Sequence, residues 1–255
     1  MRIRLSAPTR AGTGAGFGSR PSGEPRLPAT DSAAELGPVE QLVLRGDGLT
    51  TTSLEILTGK EITVRVRRHW RLHLPAQTET TDAVIDGYAD FGGNPFDAYI
   101  TVGYQDLDCA AGDDLLIREV LLCGANGVTY GTASVFAALD RLPPDVAHQL
   151  ATTDAPIGKL LVRAGIQVKR ELRRWGMLRA GDFAAHLGPT VDPESRVPSR
   201  TYRMRDMTTG QPITLITEWF APLLFELVAT WGGLSNEIPR PHYADNARRA
   251  HNTAP

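Results

Sequence analysis

Two charged residues stand where charge is costly. Arg118 interrupts the apolar run Leu115-Leu116-Ile117-Arg118-Glu119-Val120-Leu121-Leu122-Cys123. Glu218 lies inside Ile213-Thr214-Leu215-Ile216-Thr217-Glu218-Trp219-Phe220, a stretch rich in β-branched and aromatic residues. A charge in a buried strand must be paired or hydrogen-bonded, because unpaired burial costs several kcal/mol. The pattern leaves two readings open. Either the two charges pair with each other or turn outward, or they mark the two ends of one interior cavity. A guanidinium forks a carboxylate through parallel N–H bonds, and a carboxylate accepts from a hydroxyl, so such a cavity suits a small aromatic acid.

Other chemistries lack their residues. There is no P-loop, no HExxH and no G-x-S-x-G. The glycine-rich run from Gly12 to Gly18 has no strand before it and reads as low-complexity sequence. The six histidines, His69, His73, His148, His186, His242 and His251, show no metal-ligand spacing, so no metal is expected. Cys109 and Cys123 lie in or beside apolar runs, outside any C-x-x-C pattern, and read as reduced thiols. The basic run Arg65, Arg67, Arg68 and Arg71 around Trp70 would suit RNA. Strand periodicity puts Arg65, Arg67 and Arg71 on one face, which a solvated sheet surface explains more simply. A net charge of −2 gives no global footprint for nucleic acid or an anionic membrane, so an anionic ligand must be met by local arginines. No run approaches the ~18 apolar residues of a membrane span. The N-terminus lacks an apolar signal core, and the expected location is the cytoplasm.

The elements that must position these charges follow from periodicity. Residues 1–36 are rich in Gly, Pro, Ser, Thr and Ala, and read as a disordered extension. Residues 37–236 read as one domain and 237–255 as a flexible tail. Helices are expected from Pro38, from Leu49 or Thr50 to Thr58 with Gly59 as the stop, from Pro144, and from Pro156 to Arg163. Glu61 to Arg67 alternates as a half-buried strand. Leu115 to Cys123 is continuous enough to be covered on both faces, and returns through Asn126-Gly127 into Val128 to Val135. Gln167 to Trp175 could be strand or helix, since Val168, Leu172 and Trp175 fit either badly. Arg200 to Met204 and Ile213 to Phe220 form a hairpin around Thr209-Gly210, followed by a short helix from Leu223 to Thr230. Residues 73–113 hold one strand-like run, 99–102. The class expected is α+β, an antiparallel β-sheet with helices packed around it.

At these residues the chain resembles the chorismate lyase (chorismate pyruvate-lyase) family. Leu116 to Cys123 resembles the family's arginine-bearing strand, and Ala155-Pro156-Ile157-Gly158-Lys159-Leu160-Leu161 its loop and helix start. Ser199 to Met204, Gly210 to Ile213 and Thr217 to Phe220 resemble the closing hairpin. Asp47-Gly48-Leu49-Thr50, Leu54-Glu55 and Gly59-Lys60 resemble the opening helix and first strand. The resemblance implies a chorismate lyase-like fold and a lyase that converts chorismate to 4-hydroxybenzoate and pyruvate without metal or organic cofactor. Carried over by position, Arg118 and Glu218 become the catalytic and substrate-binding charges. Leu49 and Ile157 wall the pocket and offer main-chain amides. Arg170 and Arg200 are candidates for the second carboxylate of chorismate. The chain departs from the compact bacterial enzymes in a longer 73–113 segment and in the stretch after Pro222. Two alternatives stay open: a non-catalytic aromatic-acid-binding module of the same fold, and a lyase giving a different hydroxybenzoate-type product. The expected partner is the small-molecule substrate alone, for a monomer or small homo-oligomer that touches neither nucleic acid nor membrane.

Overall fold

The computed structural model describes residues 2–4, 36–73, 82–86, 106–110 and 112–233. Most of the extension, the 99–102 run and the 237–255 tail lie outside the described residues. Two helices open the domain, α1 (Pro38–Arg45) and α2 (Thr50–Thr58). Proline at the start of α1 and left-handed Gly59 (φ 63°) after α2 set their limits. Then come β2 (Ile62–His73), β4 (Asp114–Gly124) and β5 (Thr129–Ala138), with two short strands β1 (Arg2–Arg4) and β3 (Asp82–Asp86) at one edge. Helices α3 (Pro144–Thr152) and α4 (Ile157–Arg163) lead to β6 (Val168–Arg179). A short α5 (Ala184–Leu187) precedes the hairpin β7 (Arg196–Asp206) and β8 (Pro212–Phe220), and α6 (Pro222–Gly233) is the last described element.

All eight strands form one antiparallel sheet in the order β1-β3-β2-β4-β5-β8-β7-β6. The fold class is α+β, as expected. Alternation along β4 sends Leu116, Arg118, Val120 and Leu122 to one face and Leu115, Ile117 and Glu119 to the other. The first face packs against α1, α2, α3, α4 and α6 through the largest core cluster, with Leu44, Leu54, Leu160 and Leu224 at its centre. On the second face Trp70, Ile117, Phe136 and Leu215 form one cluster, and Phe183, Leu187 and Trp219 form another under α5. β8 is buried over its whole length, so Thr214, Thr217 and Glu218 carry polar groups into the interior among its apolar residues.

Three readings are sharpened. Residues 168–179 are strand, with a bulge between Leu172 and Arg174 that blurs the period-2 pattern. The helical stretch from Gly181 to Leu187 is not foreseen from the sequence. The basic run on β2 is only partly a solvated face. Arg67 Nη1 and Arg68 Nε lie 2.9 and 3.4 Å from Glu119 Oε2, so these two arginines neutralise a second buried charge. Among the described residues no helix is long and apolar enough to cross a membrane.

One ion triad ties β6 to β7 and carries a pH signature. Glu171 accepts from Arg203 Nε (2.8 Å) and Arg205 Nε (3.3 Å). Burial disfavours its charge, but the bonds and charge of Arg203, joined by Arg205, outweigh it and hold the carboxyl below its ordinary value. A depressed folded-state pKa stabilises above the unfolded pKa, about 4.3, and that stabilisation is lost as pH falls through the folded value. Urea denaturation of wild type and Glu171→Gln at several pH values is therefore expected to show the largest gap near neutrality, closing below about pH 4. A gap that widens on acidification contradicts this.

Candidate functional site

The residues singled out in the sequence converge on one cavity between the helix-covered face of the sheet and the segments 49–51 and 155–159. Its internal volume is about 70 Å³, and it opens to solvent. Leu49, Arg118, Ile157 and Glu218 all line it. So do Thr50, Arg170 and Tyr202, among apolar walls that include Val120, Val135 and Ile216. Register fixes the spacing of the two charges. Arg118 pairs with Val135, which pairs with Ile216, whereas Glu218 pairs with Ala133, opposite Val120. Two strand spacings and a two-residue offset put their Cα atoms roughly 12 Å apart. After both side chains reach inward, that leaves room for one ring.

Arg118 and Glu218 do not pair with each other. Arg118 is buried and donates from Nη1 to the carbonyls of Leu150 (3.3 Å) and Ala155 (3.0 Å), and from Nη2 to that of Thr153 (2.7 Å). Burial lowers its pKa from the ordinary arginine value, against the charge of Asp154, yet a guanidinium stays cationic at neutral pH. Three of its five donors are thus spent on the turn between α3 and α4, and among the described residues two are left to face a ligand.

Glu218 is held from three sides. Thr50 Oγ1 and the Tyr202 hydroxyl donate to Oε1, at 2.6 and 3.1 Å, and Arg200 Nε donates to Oε2 at 2.6 Å. Burial first, and then the charge of Glu218, push the Tyr202 phenol well above its usual range, so it remains a protonated donor. Arg200 also donates from Nη1 to the carbonyls of Val43 (2.8 Å) and Gly46 (2.7 Å), and from Nη2 to Thr50 Oγ1 (2.9 Å). Arg200 thus spends four donors on the protein and is absent from the cavity wall, so its expected candidacy for a second carboxylate is corrected: it is the counter-ion of Glu218. The sequence reading missed this role, and that of Tyr202. A signal was present. Reflecting position 218 through the hairpin turn at Thr209 lands on 200, and Arg200 does pair with Glu218 across β7 and β8.

The remaining two positions line the cavity where α2 and α4 begin. Leu49 is the residue before α2, and Ile157 opens α4. Between them Gly158 has no room to spare: a Cβ there would lie 2.7 Å from Leu49 Cδ2. Leu49 Cδ2 is the far end of a flexible side chain, so Gly158→Ala is expected to fold with little change in melting temperature. The displaced Leu49 narrows the cavity instead. Ligand affinity, read by calorimetry, should fall roughly tenfold. Unchanged affinity would place the ligand elsewhere.

A second hollow lies on the opposite face, lined by Arg173, Arg174, Arg179, Arg196 and Trp219 among others. Arg173 there is paired with Asp106 (3.0 Å) and Arg179 with Glu194 (2.7 Å). None of Leu49, Arg118, Ile157 and Glu218 lines it.

Comparison with known proteins bears on the first cavity. Solved structures that resemble the chain loosely include the effector domain of PhnF from Mycobacterium smegmatis, with TM-score 0.45 and 14% identity over 69% of this chain and 90% of that one. Another is the ligand-binding domain of a putative GntR-family regulator from Bordetella bronchiseptica, with TM-score 0.41 and 14% identity over 63% and 86%. The chain is 30% identical over 113 residues to a chorismate pyruvate-lyase of Mycobacterium tuberculosis, covering 44% of this chain and 55% of that protein. To the chorismate pyruvate-lyase of Mycobacterium leprae it is 28% identical over 116 residues, covering 44% and 52%. The matched part thus spans about half the length of these curated relatives. The family described as chorismate pyruvate-lyase Rv2949c-like matches residues 98–228. That span holds Arg118, Ile157, Arg170, Arg200, Tyr202 and Glu218, while Leu49 and Thr50 precede it. With half of its length matched, and with it Arg118, Lys159, Arg170 and Glu218 of the cavity wall, the chain belongs to the Rv2949c-like chorismate pyruvate-lyase family.

Proposed function

We propose that this chain cleaves chorismate to 4-hydroxybenzoate and pyruvate. The observation that supports it is a single apolar-walled cavity with the Arg118 guanidinium in one part of its wall and the Glu218 carboxylate in another. The two donors left on Arg118 hold the ring carboxylate. Glu218, fixed by Thr50, Tyr202 and Arg200, accepts from the C4 hydroxyl with its remaining lone pair. Both ends of the ring are then pinned, and the apolar walls keep water from the ether.

The chemistry asks little more of the protein. The C3–O ether bond breaks, the C4 hydrogen is lost, and the ring becomes 4-hydroxybenzoate. The departing enol takes a proton on its methylene carbon and leaves as pyruvate. Aromatisation supplies the driving force, so orientation and electrostatic fit carry the rate. Incubating the purified protein with chorismate and separating the products by chromatography tests this directly. Equimolar 4-hydroxybenzoate and pyruvate are expected. Binding of 4-hydroxybenzoate without turnover would make the chain a sensor of aromatic acids, and a different hydroxybenzoate would reassign the product.

A further inference from the structure

We propose that Arg170 is the specificity residue for the second carboxylate of the substrate, the one on the enolpyruvyl ether, and makes this a two-carboxylate site. The inference rests on the proposed reaction and adds to it the group that separates substrate from product. Chorismate carries two carboxylates and 4-hydroxybenzoate one. An otherwise apolar cavity that meets only one of them leaves the other in a cleft without a counter-charge.

Three cations line the cavity: Arg118, Lys159 and Arg170. Arg118 is assigned to the ring carboxylate. Lys159 is an exposed side chain on α4, a hydrated ammonium on a flexible stem. Arg170, on β6, is held in place. Its Nη1 donates to the carbonyls of Asp47 (3.0 Å) and Gly48, just before Leu49. Its guanidinium also lies over the Tyr202 ring, 5.3 Å from the centroid, on the same ring that the Arg200 guanidinium approaches to 5.1 Å. These contacts fix the plane of the group and commit Nη1. Nη2 lies 3.9 Å from where a Cβ on Gly158 would stand, on the cavity wall. Arg170, Tyr202 and Glu218 line the same cavity, so a ligand whose ring reaches Tyr202 and Glu218 can present a second anion to Nη2 of Arg170. The missing Cβ at Gly158 lets Leu49 Cδ2 pack against the helix start beside this guanidinium.

The experiment compares ligands with one and two carboxylates. The probes are 4-hydroxybenzoate and 3-(1-carboxyethenyloxy)benzoate, a stable aromatic ether with both carboxylates that has no aromatisation to drive its cleavage. Dissociation constants are measured by calorimetry for wild type, Arg170→Met, Arg170→Lys and Lys159→Met, beside KM and kcat for chorismate and the melting temperature of each. For Arg170→Met, chorismate KM and the dicarboxylate Kd are expected to rise about 10- to 150-fold, the effect of losing a hydrogen bond between charged groups. The Kd for 4-hydroxybenzoate should stay within about threefold. Arg170→Lys recovers part of the loss, and Lys159→Met behaves as wild type. An equal loss for both probes would show Arg170 to be only a clasp on residues 47–48 and would overturn the inference, as would no loss or a loss confined to Lys159→Met. If wild type fails to turn over chorismate yet prefers the dicarboxylate through Arg170, the proposed reaction falls and the two-carboxylate site stands.

Discussion

Arg200→Ala is expected to destabilise the domain by about 3–5 kcal/mol, a fall in melting temperature of about 6–20 °C for a domain of this size. The arginine and its partner Glu218 are each about 4% exposed, so the carboxylate left behind has no water to turn to. The carbonyls of Val43 and Gly46 lose their donor in the same step, loosening the end of α1. The cost comes from stranding the partner rather than from the worth of the pair, so a second substitution should reverse part of it. Arg200→Met combined with Glu218→Leu removes both charges and is expected to be more stable than Arg200→Ala alone, although inactive. Urea titrations of the three proteins decide it. A double variant less stable than the single would show that the pair itself, not its desolvation, holds the strands.

Turnover should be as sensitive at the other charge. Truncating one member of a buried charged contact costs about 2–5 kcal/mol, on the order of 30- to 4,000-fold in the affected constant. Arg118→Ala is expected to raise both the KM for chorismate and the Kd for 4-hydroxybenzoate within that range, since both present a ring carboxylate. It also frees the carbonyls of Leu150, Thr153 and Ala155, so part of the effect arises from slack between α3 and α4. Arg118→Lys separates the two, because one ammonium keeps the charge but cannot span three carbonyls and a carboxylate. Glu218→Gln keeps the shape and removes the charge. It should slow kcat more than it weakens product binding if the carboxylate acts in the reaction itself. Wild-type kinetics in both folded variants would move the site away from these residues.

Much of this was legible in the sequence because the local signals are strong. Pro38 and Gly59 bracket the first two helices, and the predominantly apolar runs of β4 and β8 announce strands covered on both faces. Charges inside such runs are conspicuous, which is why Arg118 and Glu218 could be singled out. β6 was illegible for the opposite reason. It is an edge strand with Arg and Lys along its exposed positions, and its bulge moves the period by one residue. Glu119 passed unnoticed beside Arg118 because its partners, Arg67 and Arg68, lie 52 and 51 positions earlier and meet it only through the pairing of β2 with β4. Leu49 and Ile157 came from family likeness alone: nothing in their own neighbourhoods tells an apolar residue on a cavity wall from one in the core.

The burial of β8 has a consequence for which parts of the site can breathe. Glu218 sits between two paired strands, β5 and β7, so no partial opening exposes it without unzipping the middle of the sheet. Its backbone is expected to belong to the slowest-exchanging amides, those released only in global unfolding. Leu49, Ile157 and Gly158 instead sit at the starts of short helices, where sub-global fluctuations are inexpensive. The carboxylate and the threshold thus belong to different cooperative units. Ligand entry and release can proceed through fluctuations of α2 and α4 while the polar constellation on the sheet keeps its geometry.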